Sequence, residues 1–171
     1  MWIVLDASTL ILLQKIGLLE KLAENFRLVI TSRVHFEAIE KGKEKNLPDA
    51  YALERACSQR LLLKKKPKDE RRVDELMSKF GAARGETETI ALCLEKQDSI
   101  AAIDDKRAMR ICNVYGIPFV TSLSLVAEAK DLGIVTSKEA REMVEKLRIY
   151  VRYKDELVSE ALKILEGESN G

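Results

Sequence analysis

The chain has one histidine, His35, so an acid–base pair of imidazoles is excluded, and a lone histidine on a helical stretch reads as structural. Its three cysteines, Cys57, Cys93 and Cys112, lie far apart without a C-x-x-C. That pattern supports neither a disulfide framework nor a zinc knuckle, and three reduced, packed thiols are expected. Net charge is nearly absent: 29 Lys plus Arg against 28 Asp plus Glu leave +1. There is no global pull toward a polyanion, and any such partner must be met by a local basic patch. No apolar run approaches the ~20 residues needed to cross a bilayer. The opening "MWIVLDASTLILLQ" lacks a basic leading segment and is interrupted by Asp6, unlike a signal peptide. A soluble, cytoplasmic protein with no membrane partner is expected. There is no internal repeat or low-complexity linker, and 171 residues fit one domain able to bury a substantial core.

What the chain does have is a series of short apolar runs separated by helical patterns. Trp2 to Leu5, Arg27 to Thr31, Arg60 to Lys66, Ser99 to Asp104 and Ile117 to Thr121 read as five strands. Helices are expected between them. Ser8 or Thr9 is placed to cap the first, Thr31 or Ser32 the next, which should fail near Gly42. Gly81 and Gly85 bracket an expected loop before "ETETIALCLEKQ", and Gly116 stops the helix that begins near Lys106. Brief apolar strands alternating with helices predict an α/β fold of three layers, α/β/α, with a central parallel sheet of about five strands. Residues 1–135 carry that pattern. Residues 136–171 read as a C-terminal helical extension whose apolar positions, such as Val144, Leu147 and Leu157, could cover the core or dimerise.

Two of the strands end in acid. "MWIVLDAST" turns from apolar to Asp6, and "AAIDDKRAM" ends in Asp104 and Asp105. In an open parallel sheet the carboxyl ends of the strands form one rim, and strands flanking a switch point bring their ends together. Glu86 opens a helix whose start should reach the same rim, and its spacing to Ile90 and Cys93 turns it toward the core, with Glu88 in reserve. Each acid alone could be a helix cap or a favourable charge at a helix start. Together they would repel and raise one another's pKa unless a cation neutralised them. An all-oxygen set without cysteine or histidine suits Mg²⁺ or Mn²⁺, and the chemistry such an ion implies is hydrolysis or transfer at a phosphate or phosphodiester.

The pieces "VLDASTLI", "TSRVHFEAI", "GETETIALCLE", "AAIDDKRAMRIC" and "GIPFVTSLSLVAEAKDLGIV" together resemble the PIN-domain family of VapC-like toxin ribonucleases and RNA-processing nucleases. The likeness extends to about Val135 and is nearest to a prokaryotic subfamily with the same G-E-x-E and D-D-x-R-A wording. The resemblance implies Asp6, Glu37, Glu86 and Asp105 as the acidic quartet, with Asp104 an additional acid and Ser8 the small hydroxyl that steadies a carboxylate or metal water. Many members have aspartate where Glu86 stands, and threonine where this chain has Ile103. Helical projection does not itself select Glu37, and Glu40 competes with it. The implied activity is Mg²⁺- or Mn²⁺-dependent endoribonuclease hydrolysis, with Asp6, Glu86, Asp105 and Asp104 around the metal. Arg84, Lys106 and Arg107 are the basic residues placed to contact RNA. A toxin–antitoxin role, an antitoxin protein as partner and a homodimer follow by the same likeness. Two other readings stay open: a non-catalytic binding or dimerisation module of the same fold, and an aspartate-based phosphatase or phospho-acceptor using Asp6.

Overall fold

A computed structural model describes residues 1–151 and 155–166. β1 (Trp2–Leu5) leads into α1 (Ala7–Ile16) and α2 (Leu19–Asn25), and β2 (Arg27–Thr31) into α3 (Ser32–His35). The chain continues through a π-helical stretch, Phe36–Glu40, and α4 (Lys41–Glu44) to α5 (Pro48–Ser58). Then follow β3 (Leu62–Lys65), α6 (Glu70–Phe80), α7 (Arg84–Glu95), β4 (Ser99–Ala102) and α8 (Lys106–Tyr115). β5 (Phe119–Val120), α9 (Ser122–Asp131), α10 (Ser137–Tyr150) and α11 (Asp155–Glu166) complete it.

The five strands pair in the order β3-β2-β1-β4-β5, every neighbour parallel. Alternate residues of β1 point to opposite faces: Ile3 and Leu5 join one apolar core, Val4 the other. The first core includes residues of α1, α5, α9 and α10, the second residues of α6, α7 and α8. The sheet is therefore covered on both sides, which is why its strands are unbroken apolar runs. This is the expected α/β/α sandwich with a five-stranded parallel sheet. β1 and β4 flank the point where the strand order reverses, so their carboxyl ends lie side by side. Met143, Val144 and Leu147 of α10 are buried in the first core, while residues 152–154 and 167–171 and the side chain of Leu157 lie outside the described residues.

Two local expectations are corrected and one is refined. The helix does fail near Gly42, after Glu44, but Gly42 is not its stop. It is buried inside α4, where a Cβ would stand 2.6 Å from that of Ala50, so glycine is there to let α5 approach. Gly85 is not in a loop but is the second residue of α7, again at a close approach. The first helix is capped by neither Ser8 nor Thr9 but by Asp6, because the extended backbone of β1 carries on through it (φ −78°, ψ 171°).

Candidate active site

Asp6 stands just past β1. Its Oδ1 accepts the Thr9 N–H at 2.7 Å, and the Ser8 hydroxyl donates to the same carboxylate at 3.0 and 3.1 Å. Only 3% of Asp6 is exposed. Burial pushes its carboxyl up to about 6, against the hydrogen bonds from Thr9 and Ser8, and repulsion from Asp104 adds to the rise.

Asp104 follows β4 and faces the same place from the neighbouring strand. Its Oδ2 accepts the Thr9 hydroxyl at 3.0 Å. Its Oδ1 accepts the Ser122 N–H at 3.1 Å and the Ser122 hydroxyl at 2.9 Å. Thr9 thus bridges the two acids, its backbone on Asp6 and its side chain on Asp104. Neither Thr9 nor Ser122 emerged as a site residue from the sequence. The signal was available, since each sits in the first turn of a helix that leaves the same rim.

Glu86, Asp105 and Glu37 form a second group. Asp105 is exposed and caps α8, accepting the N–H groups of Arg107 at 2.7 Å and Ala108 at 2.9 Å. Glu86 is half-buried and accepts the Ala83 N–H at 3.2 Å. Burial raises its pKa and Asp105 raises it further; the Ala83 hydrogen bond and the Arg107 charge oppose the rise, and Glu37 adds to it. Glu37 lies in the π-helical stretch, paired with Arg33 Nε at 2.6 Å and pressed against α7, so that a Cβ on Gly85 would fall 2.6 Å from Glu37 Oε2. Single π turns recur at functional sites because they re-aim a side chain within a helix. Glu40, the competing acid, is exposed and paired with His35 Nδ1 at 3.1 Å.

Glu88 is the more buried of the α7 glutamates, only 5% exposed, contrary to the stripe that favours Glu86. Residues Thr87 through Cys93 are buried without interruption, so α7 is enclosed on every side and a one-sided stripe does not describe it. Glu88 accepts the Arg33 N–H at 3.3 Å and Arg84 Nε at 3.1 Å. Arg84 also pairs with Glu70 at 2.5 Å and Asp74 at 3.5 Å, so it is already engaged by three carboxylates. Arg107 donates to the Gly81 carbonyl, and Lys106 is exposed at the start of α8.

The donor set fits a hard divalent ion in kind: carboxylate oxygens on one rim, with Asp6 and Glu86 both pushed toward the protonated form partly by their acidic neighbours. As the side chains stand, no three acids among the described residues are close enough to hold one ion. Magnesium does not require three, because it keeps several waters and is commonly held through one or two carboxylates.

Comparison with known families bears on this arrangement. A family model, DUF3368, described as a PIN domain, matches residues 2–167. The chain belongs to the PIN-domain family. That assignment gives it a nuclease-type fold of a class whose members are generally metal-using hydrolases. No curated protein and no solved structure matches it. No helix of this PIN domain, among the described residues, is long and apolar enough to cross a membrane.

The close approach at Gly85 makes a testable prediction. Alanine favours a helix over glycine by up to about 1 kcal/mol, so Gly85→Ala is expected to leave the melting temperature unchanged or slightly higher. The added methyl must displace the Glu37 carboxylate. In a nuclease assay, Gly85→Ala should lose as much activity as Glu37→Gln, within a factor of about 3; a fully active Gly85→Ala would separate Glu37 from the site.

Proposed function

We propose that this chain is a Mg²⁺- or Mn²⁺-dependent endoribonuclease hydrolysing RNA phosphodiester bonds, the toxin component of a toxin–antitoxin pair or a related RNA-processing nuclease. One observation carries the reading: acids from separate elements meet on the rim at the β1/β4 switch point, where Thr9 bridges Asp6 and Asp104. Of Asp6, Asp104, Asp105 and Glu86, one or two would hold the ion directly and the others through its waters, with Glu37 completing the acidic wall. A bound divalent ion supplies an activated water and charge stabilisation on the leaving oxygen. The chain's own contribution is to fix the carboxylates: Ser8 and Thr9 orient Asp6, and Thr9 and Ser122 orient Asp104.

Lys106 and Arg107, beside Asp105, supply positive charge for a phosphate backbone. Arg84 would join them only by exchanging one of its three carboxylates for a phosphate. A homodimer and an antitoxin partner belong to the same proposal. An apolar groove of about 620 Å³, lined by Phe26, Ile100, Phe119, Leu125 and Leu132, offers surface for either. The phospho-acceptor reading is disfavoured because the residue two past Asp6 is Ser8 and not a second acid.

The test is cleavage of single-stranded RNA with and without Mg²⁺ or Mn²⁺, comparing the parent with Asp105→Asn. Metal-dependent cutting that falls at least about tenfold in the variant is expected, the lower bound for disturbing a group around a metal. No cutting by the parent under any divalent ion would leave the binding module as the reading.

A further inference from the structure

Ser122 is wholly buried and is the first residue of α9. The cap of that helix is already provided by Thr121, whose hydroxyl oxygen accepts the Ser124 N–H at 3.1 Å. The Ser122 side chain is therefore not needed to start the helix. Instead its hydroxyl donates to Asp104 Oδ1 at 2.9 Å and its N–H to both oxygens, Oδ1 at 3.1 Å and Oδ2 at 3.4 Å, while the Thr9 hydroxyl of α1 donates to Oδ2 at 3.0 Å. Donors on both oxygens, from two different helices, fix the plane of the carboxylate.

We infer that Ser122 is a positioning residue, which acts through Asp104 to hold that carboxylate in one plane, aimed at the space it shares with Asp6. The inference rests on the metal-dependent reading above and makes α9 a working part of the site. Orienting groups behind metal ligands typically change metal affinity by about 10- to 100-fold when removed.

The test uses the full chain and Mn²⁺ alone, with free Mn²⁺ followed by electron paramagnetic resonance. Ser122→Ala is expected to raise the half-saturating Mn²⁺ concentration about tenfold. Thr121→Ala, which removes the cap of the same helix, should lower the melting temperature yet keep half-saturation within about twofold of the parent. A purely structural Ser122 would show the two variants shifting together. Such a joint shift, or a Ser122→Ala variant that binds Mn²⁺ as the parent does, would overturn the inference. Where Ser122→Ala does not fold, Thr9→Val, which removes the donor on the other oxygen, is judged by the same criterion. A parent that binds no Mn²⁺ overturns this inference together with the metal reading beneath it. A parent that binds Mn²⁺ without cutting RNA sinks the nuclease reading alone, and the Ser122 comparison still decides.

Discussion

Asp6→Asn is expected to make the metal-free protein more stable at pH 7 while lowering metal-dependent RNA cleavage at least about 100-fold, the upper end of what disturbing even an outer group around a metal costs. The stability half follows from burial. Asp6 is 3% exposed, and its carboxyl is pushed from an ordinary 3.8 up to about 6. Between those values the folded chain holds a proton that the unfolded chain has released, so stability falls as pH rises through that window. The penalty is absent below about 3.8 and complete above about 6. A shift of that size corresponds to something on the order of 3 kcal/mol at neutral pH. Asparagine caps a helix as well as aspartate does and still accepts the Thr9 N–H, so the variant sheds the charge without losing the cap. In EDTA at pH 7 to 8 its melting temperature should exceed the parent's by roughly 6 to 12 °C, and the curves should converge near pH 4. Saturating Mn²⁺ should reverse the order, since an ion that binds only the folded parent stabilises it by mass action. A parent already more stable than the variant without metal would mean that Asp6 is charge-compensated within the chain and has no need of a cation.

Much of this arrangement could be read from the residues alone. The β1 and β4 runs, each apolar and ending in Asp6 or in Asp104 and Asp105, specified buried parallel strands with acids at one rim, and the sheet order supplies the adjacency the argument needed. What stayed hidden depends on which helix packs against which. Gly42 and Gly85 look like punctuation in one dimension, yet each accommodates a neighbour, Ala50 in one case and the Glu37 carboxylate in the other. Glu37 faces α7 and Glu40 the surface from within one π-helical stretch, which ordinary helical projection cannot anticipate. Thr9 and Ser122 were missed as partners because they lie 95 and 18 residues from Asp104 and meet it only once α1 and α9 leave β1 and β5, the strands on either side of β4. Glu88 was misjudged through assuming an amphipathic α7, when both flanks of that helix are covered.

Glu88→Ala should act in the opposite sense to Asp6→Asn and unsettle the fold before it touches the chemistry. Glu88 is a buried carboxylate with two donors, the Arg33 N–H and Arg84 Nε. The Arg33 N–H belongs to the first turn of α3, where no helical carbonyl can receive it, so Glu88 is its acceptor. Removing the carboxylate strands that donor, takes one of the three acids from Arg84, and leaves a void in an enclosed helix. Losses of this type amount to about 2 to 4 kcal/mol, which for a chain of this size is a fall of roughly 4 to 16 °C in melting temperature. Glu88→Gln keeps the shape and one good acceptor, and should lose about half as much. Cleavage measured well below both melting temperatures then separates a strut from a ligand. A strut joining α7 to α3 holds Glu86 and Glu37 in register, so activity should fall in step with stability, further in Ala than in Gln. A Glu88→Gln variant that melts like the parent but cuts as poorly as Asp6→Asn would instead move Glu88 into the acidic wall itself and make Glu86 the reserve.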